Sequence, residues 1–477
     1  MILCIFISIA IISLIYLIWM SIYPVVTIQP SYYPNISFTQ PQYTQGSTQG
    51  STQGSTQGST RDLSHVSTVW QKGGLLGVSP GLNSTGFNSP QKKILQVFLD
   101  QQRTKYNIKA CLMAVSSGQC NRILTSGSQI NPNVHYRIGG QGFTILGTLV
   151  LILSEHRLLN LDEPIDRYLP RVPNSNKITL RHLCHHTAGL PDYISNQKFI
   201  DTFTQDPFKI WTNEELLNLI YNLTPLYTPG TDWNFGHMTN SFITGKIVEM
   251  VTRKPFYQVM KQYLTHPLGL THTQFVGDYL IQQPVLRSFT DERLAPNTSL
   301  EKSLPEKASD SSKGGPRDLD YGGVKIPNKY EESTYWDPSW GGYATRINSR
   351  AADMVILSRE LGKGSLLKPE SWKQLVAPIT AGMGQLTANK YYGMGVVVGG
   401  FGLDSLKTDK YPYTILWSNE SFAGYTGIYC YIPSHDLVIH IQTNTSNQSI
   451  PEATATQILE NLFNQFKVTE IIKNICN

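Results

Sequence analysis

The chain begins with an uncharged apolar run over residues 2–26, and this run restricts its possible folds more than any other feature. About 20 consecutive apolar residues are enough for one helix to cross the hydrocarbon core of a bilayer. A cleaved signal peptide would show a basic start, a shorter apolar stretch and small residues at a cleavage site. A buried core helix is a poor alternative, because soluble helices rarely stay apolar all round. The run therefore predicts an uncleaved transmembrane anchor over residues 1–26.

A polar, low-complexity segment follows the anchor over residues 27–88. Its centre, Thr44–Ser59, holds four consecutive copies of the sequence TQGS. Such segments lack the apolar side chains whose burial would offset the entropy lost on ordering. The composition predicts a disordered stalk that tethers a folded domain over residues 89–467, with a short tail at 468–477.

The pattern of the folded region predicts an α+β sandwich. Helical segments stand between a front hairpin and closing strands, which is typical of an antiparallel sheet packed by helices, with a mostly helical subdomain. Residues 287–340 are charged, rich in Gly and Pro and aperiodic, which predicts a surface insertion. The expected elements are helices at Gln91–Tyr106, Phe143–Arg157 and Glu452–Phe466, and strands at Ala110–Val115, Arg122–Ser126, Tyr425–Tyr431 and Leu437–Thr443.

Charge and cysteine usage bear on the partners and cofactors. The net charge of +5 is small for 477 residues, and no block of Lys and Arg stands out. Nucleic acid is therefore not expected as a partner. The six cysteines form no C-x-x-C pair, so neither a zinc site nor a dense disulfide framework is expected. Cys111 and Cys120 fall on different rungs of the expected hairpin, which argues against a bridge between them.

Sequons for N-glycosylation are compatible with a domain on the non-cytosolic side of the membrane. They occur at Asn35, Asn83, Asn222, Asn297, Asn419, Asn444 and Asn447.

Several stretches between Gln91 and Phe466 then form an ordered set of motifs. They include Tyr136–Gly139, Leu180–Tyr193 (LRHLCHHTAGLPDY), Pro229–Thr231, Trp340–Thr345 and Tyr392–Gly395. In order and spacing they resemble the serine β-lactamase, penicillin-binding protein and DD-peptidase superfamily, in its class C-like branch. The resemblance implies a β-lactamase/transpeptidase-like sandwich. It also implies no cofactor and no metal.

That superfamily carries out its chemistry with three motifs. An S-x-x-K at a helix start supplies the nucleophilic serine and a lysine that assists its deprotonation. A Y-x-N supplies a second proton carrier, and a K-T-G or H-x-G strand lines the pocket beside the oxyanion hole.

In this sequence, the residues at the catalytic positions implied by the resemblance are replaced. The serine position is Gly140 and the lysine position is Phe143, so neither a nucleophile nor a base remains there. The Y-x-N becomes Phe235-Gly-His237, which keeps a ring and loses the phenol. The H-x-G becomes Ser418-Asn-Glu420, which places a carboxylate where an oxyanion would develop.

These replacements predict a catalytically inactive protein that acts as a binding or surface module. Two alternatives stay open: a serine hydrolase (esterase, peptidase or β-lactamase-like) with rearranged residues such as Ser418 and His237, and a purely structural surface component. Cys184-His185-His186 could supply a nucleophile or zinc ligands, but adjacent side chains diverge, and the family uses this segment to brace its core.

The remaining pocket has two competing interpretations. An aromatic wall of Trp233, Phe235, His237 and Tyr425 is suited to binding a ligand. Alternatively, Phe143 fills the volume of the family's lysine and closes the cleft. The decisive observation is the packing around Phe143.

Overall fold

The computed structural model describes residues 90–118, 120–127, 130–235, 237–290, 319–321, 324–326, 331–399, 416–446 and 453–476. The predicted anchor (1–26) and stalk (27–88) lie outside these residues. Within the described ranges, no helix combines the length and the apolar character that a bilayer span requires.

Eleven α-helices are described. They are α1 (Pro90–Lys105), α2 (Phe143–Glu155), α3 (Leu180–Cys184), α4 (Gln197–Gln205), α5 (Asn213–Tyr221), α6 (His237–Thr252), α7 (Phe256–Met260), α8 (Ala351–Lys363), α9 (Pro369–Leu375), α10 (Ala453–Gln465) and α11 (Val468–Cys476).

Fifteen strands accompany these helices in the described ranges. They are β1 (Cys111–Ser117), β2 (Cys120–Ser126), β3 (His135–Arg137), β4 (Gln274–Phe275), β5 (Phe289–Thr290), β6 (Leu319–Tyr321), β7 (Val324–Ile326), β8 (Glu331–Glu332), β9 (Ile347–Arg350), β10 (Lys390–Tyr392), β11 (Val397–Gly399), β12 (Leu416–Phe422), β13 (Tyr425–Ile432), β14 (Leu437–Thr443) and β15 (Thr445–Ser446).

A seven-stranded sheet is the centre of the fold, with the order β10-β11-β12-β13-β14-β1-β2. Its neighbouring strands pair antiparallel throughout. The predicted front hairpin and closing strands are therefore confirmed, and they meet where β1 pairs with β14. Two strands that are distant in sequence, β1 and β14, are thus neighbours in one sheet.

Both faces of the sheet are buried, because side chains alternate along each strand. In β1, Met113 and Val115 join a cluster that includes Phe98 of α1 and Ile458 of α10. The alternate residues, including Leu112, pack into the larger core around α2. The structure therefore confirms the predicted α+β fold, in which helices pack on an antiparallel sheet.

Helix α2 is buried at the centre of the fold and corresponds to the helix predicted at Phe143–Arg157. Every residue from Phe143 to Leu153 is buried. Gly147 allows the backbone at Met394 to approach, because a Cβ at Gly147 would collide with the Met394 carbonyl oxygen. The start of α2 is therefore fixed between the sheet and the helical subdomain.

The predicted tail at 468–477 is wrong for its described part. Residues Val468–Cys476 form α11, and Val468, Ile471 and Ile475 are buried. A disulfide joins Cys476 to Cys120 on β2. Cys111 stays free and buried, which confirms that it does not pair with Cys120.

The predicted surface insertion at 287–340 is also wrong at both described ends. Ser288 is fully buried at the first end, and Trp336 is only 1% exposed at the second. The buried Arg137 guanidinium donates hydrogen bonds from Nη2 to the carbonyls of Thr334 and Trp336, at 3.3 and 2.8 Å. Residues 333–334 and 336–340 are therefore part of the core, whereas Tyr335 is exposed.

Candidate active site

The position expected for the nucleophile lies in a tight turn before α2. Residues Gly139–Gly142 form a buried 3₁₀ turn that leads directly into Phe143. A Cβ at Gly142 would collide with the carbonyl oxygen of Ala344, so the turn presses against the Trp340–Thr345 segment. Gly140 brings no side chain to this turn, so the turn offers no hydroxyl at the predicted nucleophile position.

Strand β12 lies against the same turn, as the resemblance implies for the H-x-G strand. The Ser418 hydroxyl donates a hydrogen bond to the carbonyl of Gly140, at 3.2 Å. Ser418 is only 6% exposed. The side chains of His237 and Glu420 lie outside the described residues, so a Ser418–His237 pair stays a prediction.

Five ring side chains pack together at the candidate site and form a cluster that we call the aromatic plug. They are Phe143, His186, Trp233, Phe235 and Tyr392. The Phe143 ring centroid lies 5.2 Å from that of His186 and 6.0 Å from that of Phe235, both in edge-to-face geometry. Such pairs contribute about 0.5–1.5 kcal/mol beyond the area that they bury. The two residues that the resemblance predicts at the family's lysine and tyrosine positions, Phe143 and Phe235, are thus in contact.

Tyr392 and Trp233 complete the aromatic plug. Tyr392 lies 4.8 Å from His186 and 6.1 Å from Phe235, between ring centroids. Trp233 lies 6.0 Å from Phe235 and 5.9 Å from Tyr392. Phe143 and Tyr392 are each 4% exposed, whereas Trp233 and Phe235 are partly exposed. The plug therefore has a buried inner part and an accessible outer part.

Hydrogen bonds hold His186 in the aromatic plug. The Asn240 side-chain amide donates to His186 Nδ1 at 3.1 Å. The His186 carbonyl accepts from the backbone N–H of Asn234 at 3.1 Å. Asp192 caps α6, which carries Asn240, by accepting from the backbone N–H groups of Met238 and Thr239 at 3.1 and 3.3 Å. The imidazole is thus fixed as a packing group.

A small cavity lies between α2, α3 and α6, beside the plug. Its lining includes Phe143, Cys184, His186 and Asn240. It offers about 10 Å³ to the centre of a water molecule, which is room for a single water. Pockets for small molecules measure about 300–1,000 Å³. In the described part of the chain, the packing therefore favours the interpretation in which Phe143 fills the cleft.

Tyr425 does not join the proposed ligand wall. It is 1% exposed, and its hydroxyl donates to the carbonyl of Leu286. Its place on β13 turns the ring toward the core beside Arg137, so the prediction that it lines the pocket is wrong. Tyr392 is not among the site residues predicted from the sequence, although its ring packs against His186 and Phe235. The sequence motif that could have indicated Tyr392 is Tyr392–Gly395. Its glycine packs against the start of α2, where a Cβ at Gly395 would collide with the Phe143 carbonyl.

The Cys184-His185-His186 segment braces the core. Burial raises the pKa of the Cys184 thiol to about 12 and lowers the pKa of His185 to about 4. His185 Nδ1 bonds to the carbonyl of Arg181 at 2.9 Å. Across the described ranges, no group of three or more His, Cys, Asp or Glu residues is arranged to hold a metal ion.

We expect Cys184 to resist iodoacetamide in the folded protein at mildly alkaline pH. The thiolate is the reactive form, and a pKa of about 12 keeps its population very small. Mass spectrometry of the Cys184 peptide measures the modification, and the same peptide from unfolded protein is the control. Rapid alkylation of the folded protein would contradict the buried assignment.

The chain is similar in sequence to a known protein family. A profile of the Beta-lactamase family matches residues 101–462. Penicillin-binding protein 4* from Bacillus subtilis (strain 168) is 24% identical over 260 residues, which cover 54% of this chain and 50% of that protein. Teichoic acid D-alanine hydrolase from Staphylococcus aureus is 24% identical over 214 residues, covering 42% and 49%. The chain thus spans about half the length of these relatives.

A solved structure supports the fold. The D-stereospecific amidohydrolase from Streptomyces sp. superposes with a TM-score of 0.63 and 18% sequence identity. The match covers 78% of this chain and 99% of that one. Because the family profile extends over most of the chain, from β1 to α10, the chain belongs to the β-lactamase family, within the serine β-lactamase and penicillin-binding protein superfamily.

Proposed function

We propose that this chain is a non-catalytic member of the β-lactamase family that serves as a membrane-tethered binding or surface module. One observation carries the proposal: Phe143, at the position that the resemblance assigns to the catalytic lysine, packs edge-on against His186 and Phe235. The volume in which a substrate would meet a nucleophile is occupied by protein side chains.

The chemistry of the remaining groups supports inactivity. Removing the nucleophile of a serine hydrolase reduces turnover by a factor on the order of 10⁶. Among the described residues near the start of α2, the hydroxyls of Ser418 and Thr144 both donate to backbone carbonyls. Ser418 bonds to Gly140 at 3.2 Å, and Thr144 bonds to Gly395 at 2.6 Å. Thr144 also bonds to the Tyr429 phenol, but burial raises the pKa of Tyr429, so this phenol stays protonated and does not act as a base.

The outer part of the aromatic plug is the surface that we assign to binding. Trp233 and Phe235 are partly exposed, in contrast to the buried Phe143. Aromatic side chains combine a large apolar area with few rotatable bonds, so they serve well in contacts with a partner. A partner would rest on the plug without entering the former catalytic volume.

We expect the purified protein to hydrolyse neither a chromogenic cephalosporin nor a D-aminoacyl amide above the rate in buffer. The D-aminoacyl amide is included because one structural neighbour is named a D-stereospecific amidohydrolase. An active penicillin-binding protein assayed in parallel is the positive control. Turnover that is lost in a Ser418→Ala variant would support the alternative, a hydrolase with rearranged residues.

The tether is the second part of the proposal. The uncharged run over residues 2–26 inserts in a membrane, and residues 27–88 connect it to the folded domain. The domain lies on the non-cytosolic side. The disulfide between Cys120 and Cys476 favours this orientation, because disulfides persist in oxidising compartments.

Full-length protein should remain in the membrane pellet after carbonate extraction, because residues 2–26 carry no charge that would oppose insertion. The variant that lacks residues 1–26 is the matched control and should appear in the supernatant. A full-length protein in the supernatant would contradict the tether.

A further inference from the structure

Three N-glycosylation sequons have described acceptor side chains, at Asn222, Asn419 and Asn444, and the structure separates them by accessibility. Asn444 is 4% exposed. Its amide nitrogen donates to the carbonyl of Arg287 at 2.8 Å, and its amide oxygen accepts from the backbone N–H of Ala110 at 2.7 Å. Because Asn444 is buried with both amide atoms bonded inside the core, a sugar attached to its nitrogen has no room in the folded protein.

Asn419 is also engaged. It lies in β12, an interior strand of the seven-stranded sheet, and pairs with Ile428 of β13. Its amide nitrogen donates to the hydroxyl of Thr456 on α10, at 2.8 Å. Asn419 is partly buried and its amide nitrogen faces α10, so a sugar attached to it would have to displace this helix contact, unlike at the exposed Asn222.

Asn222 differs from both. It follows the last residue of α5, and both Asn222 and Thr224, the hydroxyl residue of the sequon, are exposed. The neighbouring Tyr221 and Leu223 pack against the core, which directs the Asn222 side chain outward. Its amide nitrogen donates to the carbonyl of Asn218 at 2.6 Å. A side-chain amide carries two N–H groups, so one can keep this bond after the other is replaced.

We propose that Asn222 is an N-glycan acceptor of the folded domain and that Asn419 and Asn444 stay unmodified. The sugar donor is an oligosaccharide linked to a lipid diphosphate. One N–H bond of Asn222 Nδ2 breaks, a bond from Nδ2 to C1 of the first sugar forms, the lipid diphosphate leaves C1, and a base of the transferase takes the proton. This inference rests on the proposed non-cytosolic orientation, which the Cys120–Cys476 disulfide supports independently.

The test uses the full-length chain, expressed in a eukaryotic cell with its secretory pathway. The purified protein is treated with peptide N-glycosidase F in ¹⁸O-water, and the peptides are mapped by mass spectrometry. We expect the Asn222 peptide to carry the signature of conversion to aspartate with ¹⁸O, and the Asn419 and Asn444 peptides to keep their unmodified masses. Asn222→Gln and Thr224→Ala should each remove one glycan step from the gel mobility, whereas Asn419→Gln should not.

Blocking free thiols with an alkylating agent before unfolding separates two kinds of failure. Unmodified Asn222 in protein whose Cys120 and Cys476 are disulfide-bonded would overturn the glycan assignment alone. Unmodified Asn222 together with alkylated Cys120 and Cys476 would overturn the orientation on which the assignment rests. A glycan at Asn444 in folded protein would overturn the accessibility argument.

Discussion

Replacing Phe143 with alanine should lower the free energy of unfolding by about 3–5 kcal/mol, which is typical of Phe→Ala in a core. The ring is 4% exposed and touches His186 and Phe235 edge-on. The start of α2 is also held by the loop at Gly395, so the site has little freedom to collapse onto the vacated volume. Urea denaturation followed by circular dichroism measures the change.

The matched control is Phe208→Ala, which truncates a ring that is 59% exposed. Surface substitutions of this kind usually stay within about 0.5 kcal/mol of the parent protein. If Phe143 instead bordered an open ligand pocket, its truncation would also have a small effect. Equal and small changes in the two variants would therefore contradict the plug.

Much of the fold could be predicted because its signals are local. The continuous apolar run after Phe143 indicates a helix that is buried on all sides, and α2 is such a helix. The apolar closing strands predict burial on both faces, as β13 and β14 show. These patterns depend on side-chain polarity and period, which the sequence displays directly.

The errors arose where the structure depends on distant partners. Val468, Ile471 and Ile475 have helical spacing, but the short segment after α10 looks like a tail until Cys476 is paired with Cys120. A disulfide connectivity cannot be deduced from cysteine positions alone. The buried Thr334 and Trp336 likewise accept hydrogen bonds from Arg137, a residue almost two hundred positions away.

The candidate site also combines features that the sequence predicts with features that depend on contacts between distant residues. The resemblance predicts that Gly140, Phe143, Phe235 and Ser418 converge, and the structure brings these four together. The outcome of that convergence, an aromatic plug, depends on how His186 and Tyr392 pack against Phe143 and Phe235. The prediction for Tyr425 was wrong because alternation along β13 places its ring on the face of the strand that packs into the core.

A serine introduced at the nucleophile position should not restore activity by itself. In Gly140→Ser the hydroxyl would have no lysine at position 143 to assist its deprotonation, and an unassisted hydroxyl is a weak nucleophile near neutral pH. This variant therefore serves as a control for covalent labelling. We expect it to stay as inert as the parent protein.

Covalent labelling of the unmodified protein tests the central claim most directly. Fluorescent penicillin and a fluorophosphonate each trap an activated serine as a stable adduct, and an active penicillin-binding protein confirms that the probes work. We expect no adduct, because Gly140 offers no nucleophile, Phe143 stands at the predicted position of the base, and the cavity beside it holds about one water molecule. Stoichiometric labelling would contradict the account, and mapping the labelled residue would show whether Ser418 had taken over the nucleophile's role.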